Sequence, residues 1–568
     1  MFSMETKMST FVQNLIFMNN KNKHLLLLVL TVFMGIYGYS QDVISGVVSD
    51  KDGIPMIGAT VLVQGTNQGT TTDFDGKFSI ETTQAVSLKV TYVGFKASYV
   101  KASPGDVLQI ILEASNALDE VVITALGIKR EEKALGYAVQ GITAGEISQV
   151  KATNVVNALA GKVAGVSITG SSAGPSASSN ITIRGASSLM GNNQPLFIVN
   201  GMPITNDLYT FDDGLNGSTS IDFGNAAQVV NSDDIENISI LKGPAASALY
   251  GSRAASGVIL IQTKTGKNNG DPFSVELNSS VLFSSPLKLP NYQNEYGAGG
   301  GGKYSYLNGS TYIGANENYD AYGENWGPRM NGQLIKQFNS DGEAVPFTPS
   351  PNNIRDFYET ALTHITNVAV NTSSEDANSR FSYTHLGNDG LIPNTGLERN
   401  TFQTSINRSL FDNKLNIGFN NMFVRSTSDN IPNSGYDESS SVMYGWLWLP
   451  RQVEINDLRD YWQPGLEGVE QRYAENLWVN NPWFIAYENT NAFQSNRNIS
   501  NINIDYQIND YANLRFRYGV DYVDEQRQYK RAPSTKGVLN GSYREDEISF
   551  RESNAEWLLS LNPTPNES

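Results

Sequence analysis

The sequence has no cysteine and only three histidines in 568 residues. Without cysteine the chain cannot form disulfides, thiolate metal sites or a cysteine nucleophile. His24 falls in an N-terminal apolar run, and His364 and His385 stand alone in separate strand-like segments, without the spacing of a metal site. Phosphate loops and Gly-x-Ser-x-Gly elbows are also missing. The sequence therefore predicts a protein that is not an enzyme, with no catalytic residues, no metal site and no cofactor.

Positive charge is scarce. The chain carries 40 Lys and Arg against 57 Asp and Glu, for a formal net charge of -17. Phosphate backbones are bound by clustered basic residues, so nucleic acid is not expected as a partner. A sugar, peptide or cation ligand remains possible. The 51 glycines and 10% aromatic residues, with 40% apolar residues overall, favour a β-rich protein with sizeable cores.

Long apolar runs are absent after the first 40 residues, so no transmembrane helix is expected. The run Leu25–Tyr37 follows two lysines and leads into the small-residue exit Gly38–Ser40. This pattern predicts a secretory signal peptide over residues 1–40, with Met18 as a possible start. An N-terminal anchor helix is the alternative. An exported chain without apolar helices would span a membrane only as a β-barrel.

Residues 42–114 have short β-branched runs separated by turn signals such as Asp52-Gly53 and Asp75-Gly76. This rhythm predicts a small β-sandwich that ends near Leu112. The following run "EVVITALG" (Glu120–Gly127) is apolar and β-prone. It is either a linker or last sandwich strand, or an extended segment that a partner captures by adding it to a sheet.

Residues 134–266 predict a compact mixed α and β domain, called the mixed domain below. "NITIRG" predicts a strand in which Ile181 and Ile183 face one way and Thr182 and Arg184 the other. For Arg184 the alternative to a functional role is an exposed charge at a strand edge. "QPLFIVNGMPI" predicts a type I′ hairpin at Asn200-Gly201, because both central residues of that turn need positive φ. Its continuous apolar run predicts a strand covered on both faces. The segment Asp234–Gly266 predicts a strand, a short helix and a closing strand.

From residue 271 to 568, segments of about ten residues alternate polar and apolar side chains. Tight turns such as Phe411-Asp412-Asn413 join some of them, and long polar loops join others. Short turns at one end and long loops at the other are typical of an outer-membrane β-barrel. A soluble β-solenoid or adhesin is the alternative. Tryptophans in the long loops, among them Trp326, Trp446 and Trp483, are expected to stack on sugar rings or, more often, to lie at the membrane interface.

Four segments carry a family resemblance. "SGVVSDKDGIPMIGATVLVQGTNQGTTTDFDGKFSI" (Ser45–Ile80) resembles the carboxypeptidase-regulatory-like domain, a non-catalytic accessory. "LDEVVITALG", "NITIRGASSLMGNNQPLFIVNGMPI" and "ILKGPAASALYGSRAASGVILIQTKTG", in that order, resemble the SusC/RagA-type TonB-dependent outer-membrane transporters. The resemblance implies a mainly β fold: a signal peptide, the regulatory-like sandwich, the mixed domain as a plug, and part of a large transmembrane antiparallel barrel over 271–568.

The resemblance also implies site residues. Residues 118–127 correspond to the TonB box, the segment that the energising protein TonB captures; its contact residues would be Leu118, Asp119, Glu120, Val121, Val122, Ile123, Thr124 and Ala125. Arg184 matches the arginine of the family's plug motif, and Lys242 stands where relatives carry a base before Gly-Pro. Such basic residues are expected to face acidic residues of the barrel wall and seat the plug, because a buried cation needs a carboxylate.

The function implied is TonB-dependent import of a bulky nutrient, an oligosaccharide or a peptide, across the outer membrane of a Gram-negative bacterium. The partners implied are TonB with its inner-membrane energising complex, a SusD-like surface lipoprotein, the glycan or peptide ligand, and outer-membrane lipid. A siderophore or metal-chelate receptor of the same fold, and a secreted β-sandwich binding protein without transport, are the alternatives. Only about eight to ten barrel strands are expected, so we expect the chain to be an N-terminal fragment.

Overall fold

The computed structural model describes residues 43–112, 121–123, 129–131, 139–148, 153–206, 221–267, 272–304, 325–337, 343–473 and 479–561, apart from residues 52, 65, 67, 93, 94, 96, 172, 173, 175, 190, 191, 226 and 227. The predicted signal peptide lies outside the described residues. The chain divides into two compact units at the boundary between Glu120 and Val121.

The first unit is a β-sandwich, as predicted. Its strands are β1 (Val43–Asp50), β2 (Thr60–Val63), β3 (Gly69–Thr71), β4 (Lys77–Glu81), β5 (Val86–Thr91), β6 (Ser98–Ala102) and β7 (Val107–Leu112). One sheet has the order β4-β1-β7 and the other the order β3-β2-β5-β6. Side chains alternate between the two faces of each strand. Ile44, Val61 and Leu88 are fully buried between the sheets.

The second unit begins with a short hairpin and the mixed domain. The elements are β8 (Val121–Ile123), β9 (Lys129–Glu131), β10 (Val139–Thr143), α1 (Ala144–Ser148), β11 (Val166–Gly170), β12 (Ser179–Ile183), β13 (Leu196–Val199), β14 (Met202–Ile204), β15 (Ile235–Leu241), α2 (Pro244–Tyr250) and β16 (Val258–Thr263). Five of these strands form one sheet in the order β10-β15-β16-β13-β14, and β11 pairs with β12. The strand β10 is therefore at one edge of the sheet, and the β13–β14 hairpin is at the other.

The hairpin prediction is confirmed in detail. Asn200 and Gly201 both have positive φ, at 50° and 84°. All four residues of β13 are buried, because β14 pairs on one side, β16 pairs in parallel on the other, and the domain core packs against the faces. The predicted strand, helix and closing strand after residue 234 are β15, α2 and β16.

Eight longer strands follow, and shorter strands and helices lie in the connections between them. The elements are β17 (Phe273–Ser284), β18 (Gly299–Gly300), β19 (Lys303–Tyr304), β20 (Leu334–Lys336), β21 (Ala344–Pro346), β22 (Ala361–Ser373), β23 (Ala377–Asp389), β24 (Gly396–Leu410), β25 (Leu415–Ser428), α3 (Val442–Trp448), α4 (Pro482–Glu488), β26 (Asn491–Asn509), β27 (Ala512–Arg531) and β28 (Ser542–Leu561). Strands β17 and β22 to β28 form one antiparallel sheet in chain order, called the long-stranded sheet below.

The two faces of the long-stranded sheet differ. Its inner face packs on the mixed domain, and Met422, Val424 and Ile499 join that domain's core. Its outer face exposes apolar side chains, among them Phe273, Val275, Leu277, Val281, Phe283, Phe381, Phe402, Phe419, Tyr518, Trp557 and Leu559. The alternation predicted from sequence is thus confirmed, with polar and charged groups toward the mixed domain and apolar groups away from it.

The joins also follow the prediction. At one end of the sheet the turn Phe411-Asp412-Asn413 is tight, with all three residues at positive φ. At the other end the connections from β17 to β22 and from β25 to β26 are long and contain their own short elements. None of the described helices has the length and apolar character needed to cross a membrane.

Two tryptophans of these long connections, Trp446 and Trp483, do not follow the prediction. Trp446 and Trp483 are each only 3% exposed and pack with Phe357 in a cluster formed by the connections themselves. Their rings lie 4.8 and 4.9 Å from the Phe357 ring. The two side chains stabilise the folded connections and have no free face for a sugar or a lipid, whereas Trp326 is 64% exposed.

Candidate functional site

The contact between the mixed domain and the inner face is built on arginines of the long-stranded sheet. Each is at least nine-tenths buried, and each sits at an inward position of its strand: Arg380, Arg399, Arg497, Arg517 and Arg527. Four of them bind atoms of the mixed domain directly, and the fifth, Arg527, places its guanidinium 4.2 Å from the ring centre of Phe223. A buried guanidinium requires several acceptors, because it carries five N–H donors.

Arg380 in β23 makes the most deeply buried of these contacts. Its Nη2 lies 3.0 Å from Oδ1 of Asp234, and both side chains are essentially inaccessible to solvent. Its Nη1 donates to Asn371 Oδ1 at 2.9 Å and lies 3.2 Å from Glu276 Oε2. Asp234 ends a 3-10 helix and immediately precedes β15. The pair therefore connects the centre of the mixed domain to the long-stranded sheet, which is called the wall below.

Arg399 in β24 binds chiefly to backbone. Its Nη1 donates to the carbonyl oxygens of Thr153 at 3.1 Å and Gln228 at 2.7 Å, and its Nη2 donates to the Gln228 side chain at 2.8 Å. Its Nε donates to Ser426 Oγ on the neighbouring strand at 3.2 Å. One guanidinium thus joins two separate loops of the mixed domain.

Arg497 in β26 and Asp521 in β27 hold the segment after the β13–β14 hairpin. The two side chains form a bidentate pair, with Nε to Oδ1 at 2.9 Å and Nη2 to Oδ2 at 2.6 Å. Arg497 Nη2 also donates to the carbonyl oxygen of Thr205 at 2.9 Å, and the Thr205 N–H donates to Asp521 Oδ2 at 3.1 Å. Both backbone polar groups of Thr205 are therefore satisfied by one ion pair of the wall.

The hairpin tip lies directly against β27. Arg517 Nη1 donates to the carbonyl oxygen of Gly201 at 3.2 Å. A Cβ on Gly201 would lie 2.5 Å from that Nη1, and a Cβ on Gly519 would lie 2.2 Å from Met202 Sδ. Glycine on both surfaces is what allows this close approach. Beside the tip is a cavity of about 230 Å³, lined by apolar residues of β13 and β16 and by the polar residues Thr263, Asn420, Asn503, Asp505 and Arg515.

Lys242 does not contact the wall through its described hydrogen bonds. Its Nζ donates to the side chain of Gln140 at 2.9 Å and to the carbonyl oxygen of Ala164 at 2.6 Å. Gln140 belongs to β10, so Lys242 fastens this edge strand to its own domain. At the end of β10, the backbone N–H and the hydroxyl of Thr143 both donate to Glu146, and these hydrogen bonds lower the pKa of Glu146.

Arg184 follows β12 instead of belonging to it. The strand ends at Ile183, and Arg184 has φ of 59° and an exposed side chain. Its Nη1 lies 3.0 Å from where a Cβ on Gly243 would be, so the structure brings Arg184 next to the Lys242-Gly243-Pro244 motif. Within the described part of the chain its side chain forms no ion pair. A seating role for Arg184 and Lys242 stays a prediction.

The sequence predicted that basic residues of the mixed domain would face acidic residues of the barrel wall. One contact is of this kind, but it is made by a residue that the prediction did not name. Arg253 of the mixed domain pairs with Glu552 of β28, with Nη1 to Oε1 at 2.7 Å and Nη2 to Oε2 at 3.3 Å. Most of the other contacts run from wall arginines to backbone carbonyls of the mixed domain. The sequence could have pointed to the wall arginines, because alternate residues of a strand face the same side of the sheet. In each segment the arginine falls on the same alternate positions as the other polar residues, and this face is turned inward.

The segment predicted to bind TonB is only partly described. Val121–Ile123 form β8, which pairs antiparallel with β9, Val121 opposite Glu131 and Ile123 opposite Lys129. Leu118, Asp119, Glu120, Thr124 and Ala125 lie outside the described residues. The β-character of the central residues agrees with the prediction, and their capture by a partner stays a prediction.

Family models match two parts of the chain: "TonB-dependent Receptor Plug Domain" over residues 131–258 and "CarboxypepD_reg-like domain" over residues 44–123. The TonB-dependent receptor SusC of Bacteroides thetaiotaomicron is 28% identical over 513 residues, which is 88% of this chain and 46% of SusC. The TonB-dependent receptor P26 of Formosa agariphila is 27% identical over 86% of this chain and 43% of its own length. The chain thus spans about half the length of these curated relatives.

A solved structure of the RagAB peptide importer in its open-open state has a similar fold. It aligns with a TM-score of 0.56 at 19% identity, over 78% of this chain and 46% of that one. The mixed domain and the long-stranded sheet therefore have the arrangement of a plug against part of a surrounding barrel.

Proposed function

Because the chain belongs to the SusC/RagA-type TonB-dependent receptors, we propose that it acts in the active import of a bulky nutrient, an oligosaccharide or a peptide, across the outer membrane. In this proposal the mixed domain is the plug and the long-stranded sheet is part of the barrel wall. The protein binds and moves its substrate and performs no chemistry on it.

The observation that carries the proposal is the two-sided character of the long-stranded sheet. Its outer face exposes large apolar side chains along the strands, which suits contact with lipid. Its inner face buries arginines that hold the mixed domain. A soluble binding protein has no use for an extended exposed apolar face, since such a surface promotes association. This argues against the secreted, non-transporting alternative.

The layout of the mixed domain suggests how a pulling force would act. The proposed TonB-binding segment precedes β10, and β10 is an edge strand paired only with β15 within its sheet. Force applied from residues 118–127 would therefore separate β10 from β15 before it reached the inner strands. Two of the wall arginines, Arg517 and Arg497, bind at and near the opposite edge, at Gly201 and Thr205, and Arg380 binds Asp234 immediately before β15. The wall would hold the β13–β14 edge in place while β10 separates from β15.

The substrate class is proposed from the resemblance of the plug motifs to the SusC/RagA-type transporters and from one solved structure. SusC aligns over most of this chain, and the RagAB structure is that of a peptide importer. We propose a SusD-like lipoprotein and TonB, with its inner-membrane complex, as partners on the same basis. The siderophore alternative has weaker support, because a relative named as a siderophore receptor, PirA of Acinetobacter baumannii, aligns over only 29% of this chain, whereas SusC aligns over 88%.

Uptake by intact cells tests the proposal. A strain lacking the gene and a complemented strain would be given labelled oligosaccharides, labelled peptides and a ferric siderophore, with and without a protonophore. We expect gene-dependent and protonophore-sensitive uptake of an oligosaccharide or a peptide, with the protein in the outer-membrane fraction. Uptake of the siderophore alone would favour the chelate receptor. Recovery of the protein in the soluble periplasm would overturn the proposal.

A further inference from the structure

The two histidines outside the N-terminal segment are in contact. His364 in β22 is the register partner of Gly387, and His385 in β23 is the register partner of Thr366. The two histidines are therefore diagonal neighbours on the outer face of the hairpin. Their Nε2 atoms lie 3.1 Å apart. The expectation from sequence that they stand alone is wrong, because the hairpin brings together residues that are 21 positions apart.

A hydrogen-bond chain sets the tautomer of His385. The amide Nδ2 of Asn400 donates to Glu398 Oε1 at 3.0 Å, which turns its Oδ1 toward Tyr383 and His385. The Tyr383 hydroxyl donates to that Oδ1 at 2.7 Å, and Nδ1 of His385 lies 3.0 Å from it. An amide oxygen only accepts, so His385 carries its proton on Nδ1. Its Nε2 therefore presents a lone pair toward His364.

The site is open above the pair. Gly387 carries no side chain, and a Cβ there would lie 2.1 Å from Cε1 of His364, so the imidazole ring occupies that space. Both histidines line a surface depression of about 480 Å³ near the end of the sheet that carries the long connections. Asp389 and Glu398 line the same depression. Oxygen ligands and water have access to it.

We propose that His364 and His385 bind a divalent late transition metal, Cu²⁺, Ni²⁺ or Zn²⁺, through their two Nε2 atoms. Metal–nitrogen bonds of about 2.0–2.1 Å at tetrahedral angles place two ligand nitrogens about 3.3 Å apart, close to the observed 3.1 Å. Imidazole suits these metals. No group of three or more His, Cys, Asp or Glu in the described ranges is arranged for a metal, so water or a carboxylate brought by a ligand completes the coordination.

Asn400 is a positioning residue in this site. A group that fixes the tautomer of a metal-binding histidine keeps the ligating nitrogen deprotonated and aimed at the metal, and its loss typically weakens metal binding by about 10- to 100-fold. The simpler reading is a plain hydrogen bond, in which His364 Nε2–H donates to His385 and no metal binds. The two readings differ in metal binding, and the difference does not depend on the proposed import function.

The composition of the chain leaves few competing nitrogen or sulfur side-chain ligands for a metal. Outside His24 there are no other histidines, and there is no cysteine. The full chain, prepared without a histidine tag, would be titrated with Cu²⁺ and followed by electron paramagnetic resonance. We expect one tightly bound Cu²⁺ with hyperfine splitting from two nitrogens. His364→Gln and His385→Gln should each reduce affinity at least tenfold and leave one nitrogen or none, and Asn400→Leu should weaken binding without removing either nitrogen.

Thr366→Val is the matched control, because it changes the register partner of His385 and keeps both imidazoles. Far-ultraviolet circular dichroism of each variant checks that the sheet is intact. The metal site would be wrong if the wild type bound Cu²⁺ no more tightly than the His364→Gln/His385→Gln double variant. It would also be wrong if the histidine variants lost only thermal stability, since a plain hydrogen bond predicts that result.

Discussion

The guanidinium of Arg380 in the long-stranded sheet and the carboxylate of Asp234 in the mixed domain form an ion pair with Nη2 to Oδ1 at 3.0 Å, and both side chains are essentially inaccessible to solvent. An ion pair in that environment is weakly stabilising in itself. Removing one partner is costly, however, because the other is left buried and uncompensated.

Arg380→Met should therefore lower the stability of the mixed domain packed against the long-stranded sheet by about 3–5 kcal/mol. Protease sensitivity of the mixed domain in isolated outer membranes measures this change. Arg380→Met combined with Asp234→Leu should restore a large part of the lost resistance, because the double variant buries no unpaired carboxylate at residue 234. Equal sensitivity of the single and double variants would contradict the account.

Arg399→Lys tests the backbone contacts of the wall. Lysine keeps the charge but lacks the planar fork that reaches Thr153, Gln228 and Ser426 together. We expect faster hydrogen exchange in the loops around residues 153 and 228. The control is Arg425→Lys, an outward-facing arginine on β25 that contacts Gln494 of the neighbouring strand. Equal exchange in both variants would show that the fork has no special role.

Gly201→Ala tests the close approach of the hairpin tip to β27. The added Cβ meets Arg517 Nη1 at 2.5 Å and also forces alanine to φ of 84°. Gly185→Ala has the same kind of backbone penalty at φ of 88° but no atom within 4 Å of its Cβ. The backbone term costs about 1–2 kcal/mol in both. A lower melting temperature for Gly201→Ala than for Gly185→Ala is the expected result, and equal values would argue against a tight contact.

A disulfide lock tests whether the β10 edge must yield. Thr143 and Asn237 are register partners across β10 and β15, and such pairs have Cα separations within the disulfide range. The chain has no other cysteine. Oxidised Thr143→Cys/Asn237→Cys protein should lose nutrient uptake and regain it on reduction, and each single variant should transport in both conditions. Full uptake by the oxidised double variant would show that β10 stays paired with β15 during transport.

Much of the fold can be predicted from the sequence, because the patterns that specify its strands, turns and helices lie within a few neighbouring residues. Alternation along "NKLNIGFNNMFVRS" predicts a strand with one polar face, and Asn200-Gly201 predicts its own turn. The short helix Pro244–Tyr250 likewise follows from residues within one turn of each other. Local chemistry decided these elements, and the tertiary structure agrees with it.

The site is harder to predict, because its contacts join residues that are far apart in the chain and depend on how the strands and loops align in space. Arg399 reaches Gln228 across 171 positions, and Arg497 reaches Thr205 across 292. Parity places these arginines on the inner face, but only the packed structure shows that they bind backbone carbonyls, which any residue supplies. The tryptophan prediction was wrong for a related reason, since Trp446 and Trp483 find their partners in distant parts of the long connections.

In the proposed mechanism, TonB drives import by pairing with the backbone of the segment around β8. The most direct test is the rate of labelled nutrient uptake by cells whose chromosomal gene carries Val122→Pro, compared with Val122→Ile and the wild type at equal outer-membrane abundance. Proline removes a backbone donor from the strand that TonB would pair with, while isoleucine keeps it. We expect uptake by the Val122→Pro strain to fall to the level of the gene deletion and the Val122→Ile strain to transport normally. Wild-type uptake by Val122→Pro would contradict it.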